Sequence, residues 1–382
     1  MSNLKAALLG YGTVGRALHR LILEHAPQIE FSGAFVRNAN RPSNGLPLTV
    51  RAADLLDDTT LSIVFEAMGG LHPAFELVST ALKRGLKVVT ANKELIAKKG
   101  AELSALGGSL YFDAAVGGAI PIVSTMRGAL ASVPITEASG VLNGTTNYIL
   151  TQMPEMDFDA ALRDAQQKGY AETDPSADVD GLDAVYKISI LASLAQGQWV
   201  DPADVLCHGI REVNLELMAE AQRRNCAVKL LARYRADELS VLPTLVPQDS
   251  PLASLHGVLN GAFLSGPTFG DLFLSGPGAG GEATATAMLG DALNNGSAYR
   301  LPTAQAQIDR QEWTARWLIA GRLRPGESLP LETLAIAGAV IEEAMEGSIV
   351  ASMSALSFLG KFEELRGLPC WEQPPAFARF LS

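Results

Sequence analysis

The feature that most constrains this chain is Gly10-Tyr-Gly12-Thr13-Val14-Gly15, a G-x-G-x-x-G run close to the amino terminus. It follows an apolar run at 4–9 and opens a helical pattern through Leu18, Leu21 and Ile22. The order is therefore strand, tight turn, helix. The first glycine serves the turn, the second lets backbone approach a pyrophosphate, and the third lets helix pack on strand. The helix N-terminus adds free N–H groups and a positive dipole end for phosphate charge. A plain glycine turn is the alternative, but it does not require this placement. The run predicts a dinucleotide site built by Gly10, Gly12, Thr13, Val14 and Gly15.

The rest of the first third fits that start. Apolar runs at 31–36, 62–65, 86–90 and 111–115 alternate with helical spacing such as 73–84. Alternation of this kind signals a parallel α/β sheet. Beyond 115 the texture changes, with helices expected at 148–153, 159–168 and 182–194 and β-like runs at 232–245 and 255–264. A helix at 282–293 rejoins the first domain. The expected class is α/β, a Rossmann-type doubly wound sheet over 1–114 and 275–300. An α+β catalytic and dimerisation domain would span 115–274. A tail over 301–382, a short or degenerate regulatory segment, would hold a strand at 313–319, a helix at 331–345 and a loop at 369–375.

Composition narrows the class of function. Of 382 residues, 48% are hydrophobic and 19% charged, which supports a large core in two or three domains. A net charge of −11 disfavours nucleic acid and anionic membranes as partners. No apolar stretch reaches the ~18 residues of a membrane span, and 4–9 is too short for a signal h-region. The expected location is the cytoplasm. Cys207, Cys226 and Cys370 form no C-x-x-C pair and read as buried reduced thiols; the five histidines lack metal-ligand spacing.

Charge beside the second strand bears on the cofactor. Arg37 directly follows Val36, Arg41 is near, and no acid lies between Glu30 and Asp54. An acid there would bind ribose hydroxyls, whereas arginine suits a 2′-phosphate. The expected cofactor is NADP, with NAD as the alternative. Gly69 and Thr90 are further cofactor candidates.

Four more segments carry polar groups. Thr90-Ala-Asn-Lys93 lies at the end of a sheet strand, the side that faces ligands in such folds; a surface lysine at a helix start is the alternative. Asp113-Ala-Ala-Val116-Gly-Gly118-Ala-Ile120 can cap a turn or surround a hard cation with oxygens. Asn143-Gly144-Thr145-Thr146-Asn147 combines small hydroxyls with a helix start, fit for a carboxylate or for an ordinary cap. The densest is 169–187, with Glu172, Asp174, Asp178, Asp180 and Asp183 before Lys187. Asp183 and Lys187 stand at i and i+4 of an expected helix, on one face. The apolar continuation through Ile188, Ile190, Leu191 and Leu194 favours a cleft over a solvated surface pair.

Taken together, these segments resemble homoserine dehydrogenase. GYGTVG, TANK, AAVGGAIPI, GVLNGTTNYIL, GYAETDPSADVDGLDAVYK and GPGAGGEATATAMLGD occur in that family's order and spacing, from Ala6 to about Asn294. The resemblance is to the monofunctional form, without an aspartate kinase domain. It implies reversible hydride transfer between NADPH and aspartate 4-semialdehyde to give homoserine, a step toward threonine and methionine. It implies Lys187 as acid/base, Asp183 as its orienting partner and Lys93 as a second lysine beside nicotinamide and substrate. Glu172 and Asp178 would meet the substrate ammonium. Gly144, Thr145 and Tyr170 would grip the rest of the amino acid, and Gly169, Glu172 and Gly280 would lie near the cofactor. A structural sodium ion is implied at Asp113, Val116, Gly118 and Ile120, with Asp113 one methylene shorter than the family's glutamate. A homodimer follows from the same resemblance. A dehydrogenase for another small amino-aldehyde, or a catalytically silent NADP-binding relative, are the rival readings. Many relatives end in a regulatory ACT-type domain; the tail here reads as too short for one, and His208 has no assigned role.

Overall fold

A computed structural model of the chain describes residues 4–294, 296–306, 313–336, 338–345 and 347–381. The chain forms two compact units. The first is Met1–Ala138 with Tyr186–Asp204 and Gly261–Gln307; the second is Ser139–Val185 with Val205–Asn260 and Ile308–Ser382.

The first unit opens with β1 (Leu4–Leu9), α1 (Thr13–His25), β2 (Ile29–Phe35), the short β3 (Leu48–Thr49), α2 (Ala53–Leu56) and β4 (Ile63–Glu66). It continues with α3 (Ala74–Lys83), β5 (Lys87–Thr90), α4 (Lys93–Ser104) and β6 (Ser109–Tyr111), then a single 3-10 turn at Asp113–Ala115 and α5 (Ile122–Arg127). The six strands pair in the order β3-β2-β1-β4-β5-β6, all parallel. That is the dinucleotide-fold order, with the switch point beside β1. Strands covered on both faces must be apolar throughout. Accordingly Ala6 to Leu9 and Val64, Phe65, Val88 and Val89 are all fully buried.

The second unit takes the chain from β7 (Glu137–Val141) through α6 (Gly144–Gln152), α7 (Phe158–Gln167), α8 (Ser176–Val179) and the first turn of α9 (Leu182–Gln196), which from Tyr186 belongs to the first unit. It resumes with β8 (Leu206–Cys207), α10 (Leu215–Arg223), β9 (Cys226–Arg235) and β10 (Glu238–Pro247). The β-like run expected at 232–245 is in fact a hairpin, turned at Ala236 and Asp237 and paired over ten positions. No glycine or proline marks that turn, so the run read as one strand. Residues 261–307 return to the first unit with β11 (Leu259–Gly266), β12 (Gly270–Pro277) and α11 (Gly281–Leu293). There α11 packs against α1, and a Cβ on Gly281 would lie 2.9 Å from Cγ2 of Thr13.

The region expected to be a short tail is a complete unit of its own topology. It runs β13 (Thr314–Leu323), α12 (Leu331–Ile336), β14 (Val340–Met345), β15 (Ser348–Ser354), α13 (Ala355–Arg366) and β16 (Trp371–Phe380). The order β16-β13-β15-β14, antiparallel throughout, makes a βαββαβ sheet. The helix expected over 331–345 stops at Ile336 because Gly338 turns the chain at φ +84°, and a strand follows. The expected loop at 369–375 is largely strand; Pro374 and Pro375 fall where its register against β13 shifts. Its core is aromatic: Trp317 stacks on Phe358 at 4.2 Å, and Phe377 meets Phe362 edge-on at 4.5 Å. Parallel pairing of β16 with β10 (Thr244 with Arg379, Leu245 with Phe380) joins this unit to the hairpin sheet. At that seam the buried Arg379 pairs with the buried Glu238, and its Nε donates to Thr244 Oγ1 at 3.2 Å. Ile308–Ser382 falls within the second compact unit.

Candidate functional site

The glycine loop shows why each glycine is there. Gly10 has φ +99°, and a Cβ on it would sit 2.7 Å from the Ala67 carbonyl oxygen. A Cβ on Gly15 would sit 2.3 Å from the Gly10 carbonyl oxygen, so only glycine lets α1 close on β1. Gly12, the N-cap of α1, has nothing within 4 Å of such a Cβ. Its open side is where a pyrophosphate must approach the N–H groups of Thr13, Val14 and beyond. Within this unit the residues fit a dinucleotide.

The loop after β2 is tied down by a residue of the same motif. Tyr11 is buried, and its hydroxyl donates to the Ser43 carbonyl at 2.9 Å and lies 3.0 Å from His19 Nδ1. Burial lowers the His19 pKa, which favours a neutral ring here. Arg37 and Arg41, both exposed, lie within the stretch so anchored.

At the carboxyl ends of β4 and β5 stands a group the sequence reading missed. Glu66 is fully buried; it accepts from Thr90 Oγ1 at 2.5 Å and from the Met68 amide at 2.8 Å. Burial pushes its carboxyl pKa up, against the pull of those donors. Thr90 Oγ1 accepts the Asn92 amide at 3.0 Å, and Asn92 Nδ2 donates to the Gly70 carbonyl at 2.7 Å. Asn92 also caps α4 by accepting the Leu95 amide, which leaves Lys93 as the first residue of that helix. One buried acid thus knits Thr90, Lys93's turn and the Gly69–Gly70 turn (φ +76° and +70°) into a shaped rim. An acid ending an apolar run was the only signal in the sequence.

In the second unit, Asn143 is the centre. It caps α6 by accepting the Thr146 amide at 2.8 Å, and its Nδ2 donates to Asp178 Oδ1 at 2.6 Å and to Asp183 Oδ2 at 2.8 Å. Two carboxylates from α8 and α9 are held on one amide. Thr145 Oγ1 donates to the Tyr170 carbonyl at 2.7 Å, and Tyr170 packs its ring 4.9 Å from Tyr148. Gly169, at φ +75°, makes the turn before it. Glu172 is exposed, and Gln166 Nε2 donates to its backbone carbonyl at 3.0 Å. A Cβ on Gly144 would come within 2.8 Å of the Val258 carbonyl oxygen, so α6 starts in close contact with that loop.

Helix α9 carries Asp183 and Lys187 one turn apart on one face. Asp183 is 3% and Lys187 6% exposed, and the helix beyond is buried through Leu194. Asp183 and Lys187 are therefore not a solvated surface pair.

Asp113 turns its carboxylate toward the start of α5. Its Oδ1 accepts the Val123 amide at 2.9 Å and the Ser124 amide at 3.2 Å, and Oδ2 accepts Ser124 Oγ at 2.6 Å. It caps the start of α5. Val116, Gly118 and Ile120 shape the intervening turn; the Ile120 amide donates to the Gly117 carbonyl at 3.0 Å, and Gly118 packs on Gly278 backbone. No group of three or more His, Cys, Asp or Glu side chains gathers around a metal-sized space among the described residues. Behind Asp113 lies Asp291, which accepts the Asp113 amide at 2.9 Å and the Tyr299 hydroxyl at 2.7 Å. Burial pushes the Asp291 pKa up to about 7. Its unfolded form titrates near 3.8, so between those values the folded state keeps a proton that the unfolded state has lost. Stability at this site is therefore lost as pH rises from about 4 to 7, by on the order of 4 kcal/mol. Asp291→Asn should gain in melting temperature relative to the parent as pH climbs from 4 to 8; parallel curves would refute the buried acid.

Comparison with known proteins agrees with both halves of this arrangement. The homoserine dehydrogenase NAD-binding domain family matches residues 10–112, and the homoserine dehydrogenase family matches 121–293. The homoserine dehydrogenase of Synechocystis sp. is 42% identical over 318 residues, 76% of this chain and 73% of that one. That of Corynebacterium glutamicum is 40% identical over 313 residues, 75% and 70% of the two chains. In structure, a homoserine dehydrogenase from Thiobacillus denitrificans superposes with a TM-score of 0.88 at 30% identity, covering 99% of this chain and 98% of that one. A hyperthermophilic archaeal homoserine dehydrogenase in complex with NADPH gives a TM-score of 0.67 at 29% identity, over 76% and 96%. No helix among the described residues is long and apolar enough to cross a membrane. The chain belongs to the homoserine dehydrogenase family, oxidoreductases that act on the CH–OH group of a small amino-acid substrate with a nicotinamide dinucleotide.

Proposed function

We propose that the residues of the site divide the reaction as follows. Lys187 donates a proton to the carbonyl oxygen of aspartate 4-semialdehyde as it is reduced, and takes the hydroxyl proton of homoserine in the reverse direction. Asp183, one turn before it, orients that ammonium and the reacting oxygen. Asp178 and Glu172 supply negative charge for the substrate ammonium, and Gly144, Thr145 and Tyr170 bound the rest of the amino acid. Lys93 stands at the rim organised by Glu66. NADPH, when bound, supplies the hydride. The observation that carries this reading is the Asn143-bridged pair of Asp178 and Asp183, with Lys187 buried on the next turn of α9. An NADPH-oxidation assay with aspartate semialdehyde, run beside a panel of other small amino-aldehydes and hydroxy-amino acids, tests it. Turnover on another member but not on homoserine would favour a divergent dehydrogenase, and tight cofactor binding without any turnover a silent relative.

We infer a preference for NADP over NAD. Arg37 and Arg41 sit in a loop pinned by Tyr11, no acid competes there, and the archaeal relative is named with NADPH. Arg37→Ala should raise KM for NADP by roughly 10-fold or more and leave KM for NAD within twofold, the loss expected for one charged hydrogen bond to phosphate. Equal changes for both would sink it.

The implied sodium ion fits poorly. Asp113 directs both carboxylate oxygens at α5, leaving only the carbonyls of Val116, Gly118 and Ile120 to offer a cation, fewer oxygens than a hard cation favours. Replacing sodium by tetramethylammonium should leave kcat and melting temperature unchanged; a drop in either would restore the ion. We place the enzyme in the cytoplasm as a homodimer. The outermost hairpin, β11 and β12, presents the half-buried pair Phe263 and Phe273, 4.8 Å apart. Sedimentation as a monomer near 40.3 kDa would overturn the dimer.

A further inference from the structure

His208 and its neighbours have no part in the chemistry above, yet they are held on two sides. The segment Cys207 to Glu212 leaves β8 and runs to α10. On one side it lies against α8. The Ile210 amide donates to the Val179 carbonyl at 2.8 Å, and Cys207 Sγ donates to the Asp180 carbonyl at 3.3 Å. A Cβ on Gly209 would fall 2.2 Å from the Val179 carbonyl oxygen and 2.6 Å from Asp180 Cα. Arg211 clasps the Asp180 carboxylate with Nε and Nη2, the latter at 3.0 Å, and donates to Ser176 Oγ at 3.1 Å. That ion pair is half exposed and stabilises little alone. The contact is fixed by the glycine approach, the backbone bond and Ile210, which is completely buried.

On the other side the same segment enters the βαββαβ unit. The His208 ring packs 4.7 Å from Phe377 of β16 and 6.1 Å from Phe362 of α13. Its Nε2 lies 3.0 Å from Glu212 Oε2, while Glu212 Oε1 accepts from Arg366 Nη1 at the end of α13. These groups are about three-quarters buried, so this ion pair is better shielded than the first.

We propose that residues 207–212 form a positioning strap, holding α8 with its Asp178 in step with the C-terminal βαββαβ unit, so that this unit sets affinity for the amino-acid substrate. The proposal rests on the reading of Asp178 as a substrate-binding carboxylate. Because α8 is a single short turn, its position depends on what grips it from outside. The grip comes from Asn143 on one side and from the strap on the other. Any shift of α13 or β16 is passed to Asp178 through Glu212, His208 and Gly209, a contiguous packed path within one compact unit.

Double-mutant kinetics on the full chain test this. Glu212→Gln keeps the shape and removes the charge that engages Arg366 and His208. It should raise KM for homoserine at least about fivefold, while kcat and KM for NADP stay within twofold, a size typical of coupling between sites. Arg366→Met should do the same. Asp180→Asn should also raise KM for homoserine, and Glu212→Gln with Asp180→Asn should give no more than the larger single effect, because both cut one path. An unchanged KM in Glu212→Gln and Arg366→Met, fully additive effects, or a uniform fall in every parameter would each overturn the strap. Asp178→Asn separates the two readings. If it leaves KM for homoserine unchanged, the substrate role of Asp178 fails. If it raises KM while Glu212→Gln does not, only the strap fails.

Discussion

Lys187→Ala is expected to lower kcat by at least about 100-fold, the contribution of one positioned proton donor, with folding and cofactor binding intact. The reason lies in where the ammonium sits. It is 6% exposed on a helix whose continuation is buried, so water cannot readily take its place as acid. Truncation leaves a space inside the protein, so melting temperature and NADPH fluorescence titration must be measured beside turnover. An active variant with near-normal kcat would remove Lys187 from the reaction. Partial recovery with added primary amines would place the lost group at that cavity.

A second large effect is expected from Asn143→Asp, which changes one amide to a carboxylate and almost nothing in shape. The cap on α6 survives, because Oδ1 still accepts the Thr146 amide. What changes is the donor shared by Asp178 and Asp183. Each charge-assisted bond contributes about 1.5–3 kcal/mol, and a third negative group beside two others repels them. Together these predict a fall in kcat/KM for homoserine of at least about 100-fold, equivalent to roughly 2.7 kcal/mol of transition-state stabilisation. The clash should ease at low pH, where one of the three carboxyls takes a proton. A variant as active as the parent at neutral pH would show that the bridge is dispensable.

How much of this was legible in the sequence depends on which physics each part uses. The nucleotide half relies on local steric demands that glycine spells out directly, and the strand order follows from apolar runs of the right length. The acid-rich run before Lys187 was also readable, since its helix spacing puts Asp183 and Lys187 on one face. Asn143 was visible as part of a helix start fit for a carboxylate or an ordinary cap; its bridging role needs Asp178 and Asp183 brought from 35 and 40 residues away. Glu66 was missed because a buried acid and an exposed one are written with the same letter. The hairpin turn at Ala236 and Asp237 has neither glycine nor proline, and a lone aspartate is a weak mark of a turn. In the C-terminal region, Pro374 and Pro375 argued for a loop, yet a local register shift lets β16 carry them. Asp113 matched a metal motif in position, and its hydrogen bonds to the backbone of α5, ten and eleven residues on, were not legible from that motif.

The place of β16 bears on whether such a unit can be treated as an interchangeable cassette. It lies between β13 and β10, so it is at once the edge of the βαββαβ sheet and the neighbour of the hairpin beneath. Cutting the chain before Trp371 would open a strand edge at Thr244 and Leu245, an invitation to aggregation. It would also take the guanidinium of Arg379 from the buried Glu238 carboxylate, leaving that acid to Ser240 Oγ at 2.6 Å and Arg233 at 3.5 Å. Exchanging this unit for another would require that one strand and its arginine to be carried over, whatever else was replaced.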